Sequence, residues 1–171
     1  AIELPEEARR HVDAAFGGPV VKCFAAYSRA AWRDRGLSGE SYHPRGTVRA
    51  TVALGGRDGG RGVLLGVVVG REAARWPTRA PDERREDVLA TFARLTDEPA
   101  LDFVEIDWGS EAWSAGCVPG LPPGARAAGA RWRGPYGRLH VAGTESATSW
   151  PGYIEGAIEA GERAAREVLE R

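Results

Sequence analysis

LHVAGTESATSWPGYIEGAIEAGERAAR, residues 139–166, passes from a short apolar run through a polar, glycine-bearing loop into a long amphipathic stretch. Arg138–Ala142 predicts a short strand, Gly143 a turn, and Gly152 the opening of a helix that runs from Tyr153 to Glu170. On that helix Ile154, Ile158, Gly161, Ala165 and Val168 or Leu169 share one face. The first turn of a helix offers unpaired backbone N–H groups and the positive end of the helix dipole. Gly152 and Gly156 carry no side chain there, so a flat, electron-rich ligand could approach the backbone closely. The competing reading is a helix packed tightly on a sheet, with the glycines giving clearance.

Outward from this segment, strands and helices mix without a regular βαβ rhythm, which predicts an α+β fold. Pro5–Ala15 reads as a short helix. Val20–Tyr27 (VVKCFAAY) reads as a strand with Lys22 and Phe24 on one face and Val21 and Cys23 on the other. Gly46–Leu54 and Gly62–Val69 predict two further strands, joined by a glycine-rich hairpin loop. Arg71–Trp76 reads as a short helical stretch. Pro81–Leu95 predicts an amphipathic helix with Val88, Leu89, Phe92 and Leu95 on its apolar side. Asp102–Trp108 alternates as a strand does. Gly109–Pro135, rich in Gly, Pro and Ala, is too long for an ordinary connection and points to function.

Composition narrows the classes of function. The 171 residues suffice for one domain with a core, or for parts of two. A net charge of −1 leaves no electrostatic footprint for nucleic acid. The longest apolar run, Gly62–Gly70, is too short to span a bilayer, and no segment reads as a signal peptide, so the expected location is cytoplasmic. Two cysteines and three scattered histidines give neither a disulfide framework nor a metal site. The chain has no methionine, so Ala1 is expected to follow an upstream segment. Of its 23 basic residues only Lys22 is lysine. A compact ammonium differs chemically from a guanidinium, so one survivor inside an apolar strand is either chance or a requirement of function. No G-x-G-x-x-G follows a strand, so a dinucleotide's diphosphate would have to be gripped elsewhere.

The stretch Ala142–Glu145, Trp150–Tyr153, Glu155–Ala157 and Ala160–Ala165 resembles, without gaps, the C-terminal flavin motif of the monoamine oxidase family. The resemblance implies that Gly143, Thr144, Gly152 and Ile154 line FAD, with the helix start at the pyrimidine edge of its ring. It also implies that Tyr153 forms one wall of an aromatic cage for the amine. Trp108-Gly-Ser-Glu-Ala-Trp-Ser114-Ala-Gly-Cys117 looks like the family segment in which a tryptophan and a serine border the flavin, and Pro122-Pro123-Gly124 follows as in the family. In monoamine oxidases proper the cysteine at this position carries FAD through a thioether, while many bacterial relatives bind FAD without one. Cys117 is therefore expected at the flavin edge, with covalent attachment open. Val118 stands where the vertebrate enzymes have a second cage tyrosine. Gly18–Cys23 is similar to the family strand whose lysine holds a water against flavin N5 and takes part in the reaction with oxygen, which assigns that role to Lys22.

What the resemblance implies is the C-terminal part, about two-fifths, of a bacterial flavin amine oxidase. Residues 1–107 would belong to the substrate domain, a mixed or antiparallel sheet flanked by helices. Residues 108–171 would supply the C-terminal strand and helix of the FAD-binding domain. The Rossmann segment of the same enzyme would be its partner, and the fragment is expected to be inactive alone. The implied reaction converts a small amine, oxygen and water to aldehyde, ammonia and hydrogen peroxide, with Lys22 and Tyr153 as catalytic residues. An amino-acid or polyamine oxidase, or a non-catalytic flavin-assembly subunit, are the alternatives. A homodimer is compatible with each.

Overall fold

A computed structural model describes residues 4–14, 16–55, 60–114, 116–120 and 132–170. Ala115 and Pro122-Pro123-Gly124 lie outside the described residues, as does the side chain of Val118. The chain divides into two compact units, Gly18–Cys117 and a second made of Ala1–Gly17 with Val118–Arg171.

In the first unit the β-branched run Val20–Tyr27 forms strand β2. It pairs antiparallel with β5 (Gly62–Val69) on one side and with β6 (Asp102–Asp107) on the other. With β3 (Ser41–Tyr42) and β4 (Ala50–Ala53) these make a five-stranded antiparallel sheet in the order β3-β4-β5-β2-β6. Alternation puts Val21, Cys23, Ala25 and Tyr27 into the core, with Leu64 and Val68 beside them from β5. Helix α3 (Pro81–Phe92) starts with proline and has Asp82 and Glu83 in its first turn, and it closes this face with Val88 and Phe92. Trp32 and Trp76, from two 3-10 turns, fill the rest. Glycine is needed at two places in β5. A Cβ on Gly62 would lie 2.5 Å from the Trp32 ring, and one on Gly66 would lie 3.0 Å from Phe92. Burial pushes the Cys23 thiol up to about 12, with Glu105 adding to the effect and Arg84 opposing it.

The α+β class and the antiparallel sheet agree with the reading of the sequence. Two of the expected strands do not form as drawn. The strand expected over Gly46–Leu54 is regular only over Ala50–Ala53, because Gly46, at φ 100, still belongs to a turn. Arg138–Ala142 is no strand: Tyr136 and Leu139 form an isolated bridge around Gly137, at φ 60. A strand needs a neighbour, and none lies along residues 140–142 among the described residues. The carbonyl of Val141 instead accepts from Arg163. Part of the Gly109–Pro135 connection is ordered as β7 (Cys117–Gly120), which pairs with β1 (Phe16–Gly18).

The second unit contains α1 (Glu6–Ala14) and α4 (Ile154–Leu169). The enclosed face of α4 is Gly156, Ala160 and Ala164. The stripe of larger apolar residues does share a face, as expected, but the described residues do not cover it: Ile154 is 82% exposed and Leu169 84%. Periodicity identifies a face that favours burial; it does not say which segment provides the cover. Among the described residues no helix is long and apolar enough to cross a membrane, and no group of His, Cys, Asp and Glu could hold a metal.

Candidate functional site

In the C-terminal unit the loop before α4 is organised by one hydroxyl. Thr144 Oγ1 accepts from the Gly152 N–H at 2.7 Å and donates to the Tyr153 carbonyl at 2.9 Å. This fixes Gly152 in a left-handed conformation, φ 87, with open space where a side chain would be. Tyr153 then takes an extended backbone as the N-cap residue, so the helix begins at Ile154, two residues beyond the glycine expected to open it. No side chain caps α4. Its first-turn N–H groups are therefore available to an acceptor from outside, in the field of the helix dipole. Tyr153 is 64% exposed and meets Trp150 edge to face at 5.7 Å. The Gly143 carbonyl accepts from the Ser146 N–H and hydroxyl, both at 2.9 Å. Thus the structure brings Gly143, Thr144, Gly152, Tyr153 and Ile154 into one loop-to-helix junction.

Gly156, noted in the sequence, and two residues that sequence reasoning passed over, Glu159 and Arg163, hold this junction. Glu159 accepts from the Thr148 N–H at 2.7 Å and the Thr148 hydroxyl at 3.0 Å, and these bonds keep its carboxyl below the ordinary range. Arg163 donates to the carbonyls of Arg133 and Val141, to Ser146 and to Glu167. Gly156 lets the loop close on the helix: a Cβ there would lie 2.3 Å from the Trp150 carbonyl oxygen. The signal in the sequence was faint, a polar pair at i and i+4 on a face otherwise made of Gly and Ala.

In the sheet unit Lys22 sits mid-sheet on β2, opposite Val67 and Ile106. Its side chain is on the face away from α3, and its ammonium lies 5.5 Å from the centroid of the Trp108 ring. Trp108 is half-buried, yet its indole N–H is enclosed without a hydrogen-bond partner. The Trp108 N–H donates to the Val20 carbonyl at 3.0 Å, and its carbonyl accepts from Gly116 at 2.7 Å. The turn between them exposes Ser114. Cys117 is a free, half-buried thiol at the start of β7. Among the described residues, Lys22 and Trp108 are the pair of expected site residues that this unit brings together.

A family model described as flavin containing amine oxidoreductase matches residues 1–169. The chain belongs to that family. Among individual relatives of the flavin containing amine oxidoreductases, AofH of Mycobacterium tuberculosis, which carries a provisional flavin-containing monoamine oxidase name, is 38% identical over 156 residues. These make up 88% of this chain and 34% of AofH. A cyclohexylamine oxidase from Brevibacterium oxydans superposes with a TM-score of 0.88 at 30% identity, covering 98% of this chain and 39% of that one. A putrescine oxidase redesigned in its cofactor binding gives 0.88 at 28% identity, covering 99% and 39%. The chain thus spans about a third of the length of the curated relatives it matches.

Proposed function

We propose that these residues form part of an FAD-dependent amine oxidase that converts an amine, oxygen and water to the aldehyde, ammonia and hydrogen peroxide. The observation that carries this reading is the Thr144-pinned loop, which delivers an uncapped helix start and an exposed tyrosine together. When bound, FAD accepts a hydride equivalent from the amine's α-carbon and passes the electrons to oxygen. The residues present fit such a ring. In the C-terminal unit, first-turn N–H groups of α4 suit an electron-rich edge and Gly152 leaves backbone bare; in the sheet unit, taken by itself, the Trp108 indole N–H lacks an acceptor.

In this reading Gly143, Thr144, Gly152 and Ile154 hold the cofactor, and Trp108, Ser114 and Cys117 border it. Tyr153 presents its ring to the amine and orients it. Lys22 places a positive charge where negative charge develops on oxygen. Residues 1–107 serve the substrate side and 108–171 the flavin side, a division by ligand rather than by compactness. The diphosphate grip comes from chain outside these 171 residues, which alone turn over no amine. Likeness to a putrescine oxidase favours, as a second reading, an amine with another cationic end.

The test is amine-dependent peroxide release by the flavin-loaded enzyme, followed by stopped-flow on Lys22→Met. That substitution keeps the stem and removes the charge, so reoxidation by oxygen should slow by about tenfold or more while reduction by amine changes less. An unchanged oxidative half-reaction would make Lys22 a strand residue only.

A further inference from the structure

We propose that Trp108 is the positioning residue for Lys22, its indole face holding the ammonium at one place on the open side of the sheet. Trp108 continues β6 by one residue and bonds to Val20, so it stands diagonally across from Lys22 on the same face. The other neighbours of Lys22 on that face are Val67 of β5, Ile106 of β6 and Phe24 of its own strand, all apolar. Among the described residues no carboxylate pairs with Lys22; the charged residue on the adjacent position of β6, Asp107, lies opposite Val21 on the other face and accepts from the Gly109 N–H. A flexible four-carbon stem flanked by Val67 and Ile106 on the two adjoining strands has many rotamers. The Trp108 ring face, its centroid 5.5 Å from the ammonium, attracts the cation, and it does so without occupying the ammonium's hydrogen-bond donors as a carboxylate would. The donors are left for a water or an oxygen species. The backbone bonds at both ends of Trp108, to Val20 and Gly116, fix the main chain from which the ring projects.

For its consequence in catalysis the proposal rests on the amine oxidase reading; the contact itself does not. Lys22 is the sole lysine, so biosynthetic labelling of lysine at Cε gives one resonance for the whole chain. In the 171-residue protein its Hε protons should appear upfield of free lysine because of the ring current, should return toward the free value in Trp108→Leu, and should stay partly shifted in Trp108→Phe. In the flavin-loaded enzyme, Trp108→Leu should slow reoxidation by about tenfold, the scale of a partly desolvated cation–π contact, and Trp108→Phe by less. In a Lys22→Met background Trp108→Leu should slow reoxidation much less, since there is no cation left to hold and only the ring's place beside the flavin is lost. A Trp108→Leu effect of equal size in both backgrounds, or a lysine signal unmoved by the substitution, overturns the proposal. If Trp108→Leu does not fold, Trp108→Phe carries both readouts. If Lys22→Met alone leaves reoxidation unchanged, the role of Lys22 in the oxidase reading fails, and the lysine resonance still decides whether Trp108 holds it.

Discussion

Among the described residues, the wholly enclosed side chains of Gly18–Cys117 include the large Trp32, Trp76, Phe92 and Leu64; in the C-terminal unit they are Ala8, Ser146 and Ala160, with Gly156 between helix and loop. The sheet unit is held by area removed from water. In the C-terminal unit the large apolar side chains of α4 face outward, and close backbone approach with charge-assisted hydrogen bonds from Arg163 and to Glu159 organises what is enclosed. One unit is therefore sensitive to lost volume and the other to added volume.

The largest effect expected is in the sheet unit. Phe92→Ala should cost about 3–5 kcal/mol of unfolding free energy, read by chemical denaturation. Gly66 faces that ring at 3.0 Å, so Gly66→Ala should be harmful in the native chain yet less so, or favourable, beside Phe92→Ala. Additive losses would mean that the fit between Gly66 and Phe92 does not matter, and the contrast between the units would weaken.

Next comes the opposite change in the C-terminal unit. Alanine is a better helix former than glycine by roughly 0.5–1 kcal/mol. Gly156→Ala should nevertheless destabilise by about 1–3 kcal/mol, because the new Cβ meets backbone atoms of Trp150, which cannot swing aside as a side chain end can. Trp150 already sits at φ 54, where side chains are uncommon, and leaves little slack. A neutral or stabilising Gly156→Ala would break the claim that close approach organises this junction.

The difference between the units also explains what the sequence disclosed. Val20–Tyr27 and Gly62–Val69 were legible to the residue because their alternation and their burial have the same cause. In α4 the strongest pattern, Ile154 with Ile158 and Leu169, marks the face that the described residues leave open, while Gly156 and Ala160 give no hydrophobic signal. Lys22 and Tyr153 could be singled out, one as the sole lysine and the other through the flavin-motif resemblance. Glu159 and Arg163 could not, because the bonds that tie them to the loop run in large part to backbone groups of residues 133–149, and a backbone group has no letter in the sequence.

The smallest effect concerns acid. Glu159 and Glu98 both have carboxyls held below the ordinary range, from different sources. Glu159 is held first by the Thr148 N–H, then by the Thr148 hydroxyl and the Ser149 N–H, with the charge of Arg163 adding to it. Glu98, in the sheet unit, is held by the Ser28 hydroxyl and then by the exposed Arg29 guanidinium. A depressed folded value means that each contributes stability above its unfolded value and loses it as pH falls through the folded one. The Thr148 amide proton should therefore shift below the ordinary glutamate range near 4.5, in step with Glu159, and Glu159→Gln should leave it flat with pH. Raising the salt should move the Glu98 titration back toward the ordinary value, because an exposed guanidinium is screened. It should move that of Glu159 less, since backbone N–H groups carry no net charge to screen. Equal salt responses at the two carboxylates would show that the loop before α4 is held by charge rather than by backbone geometry.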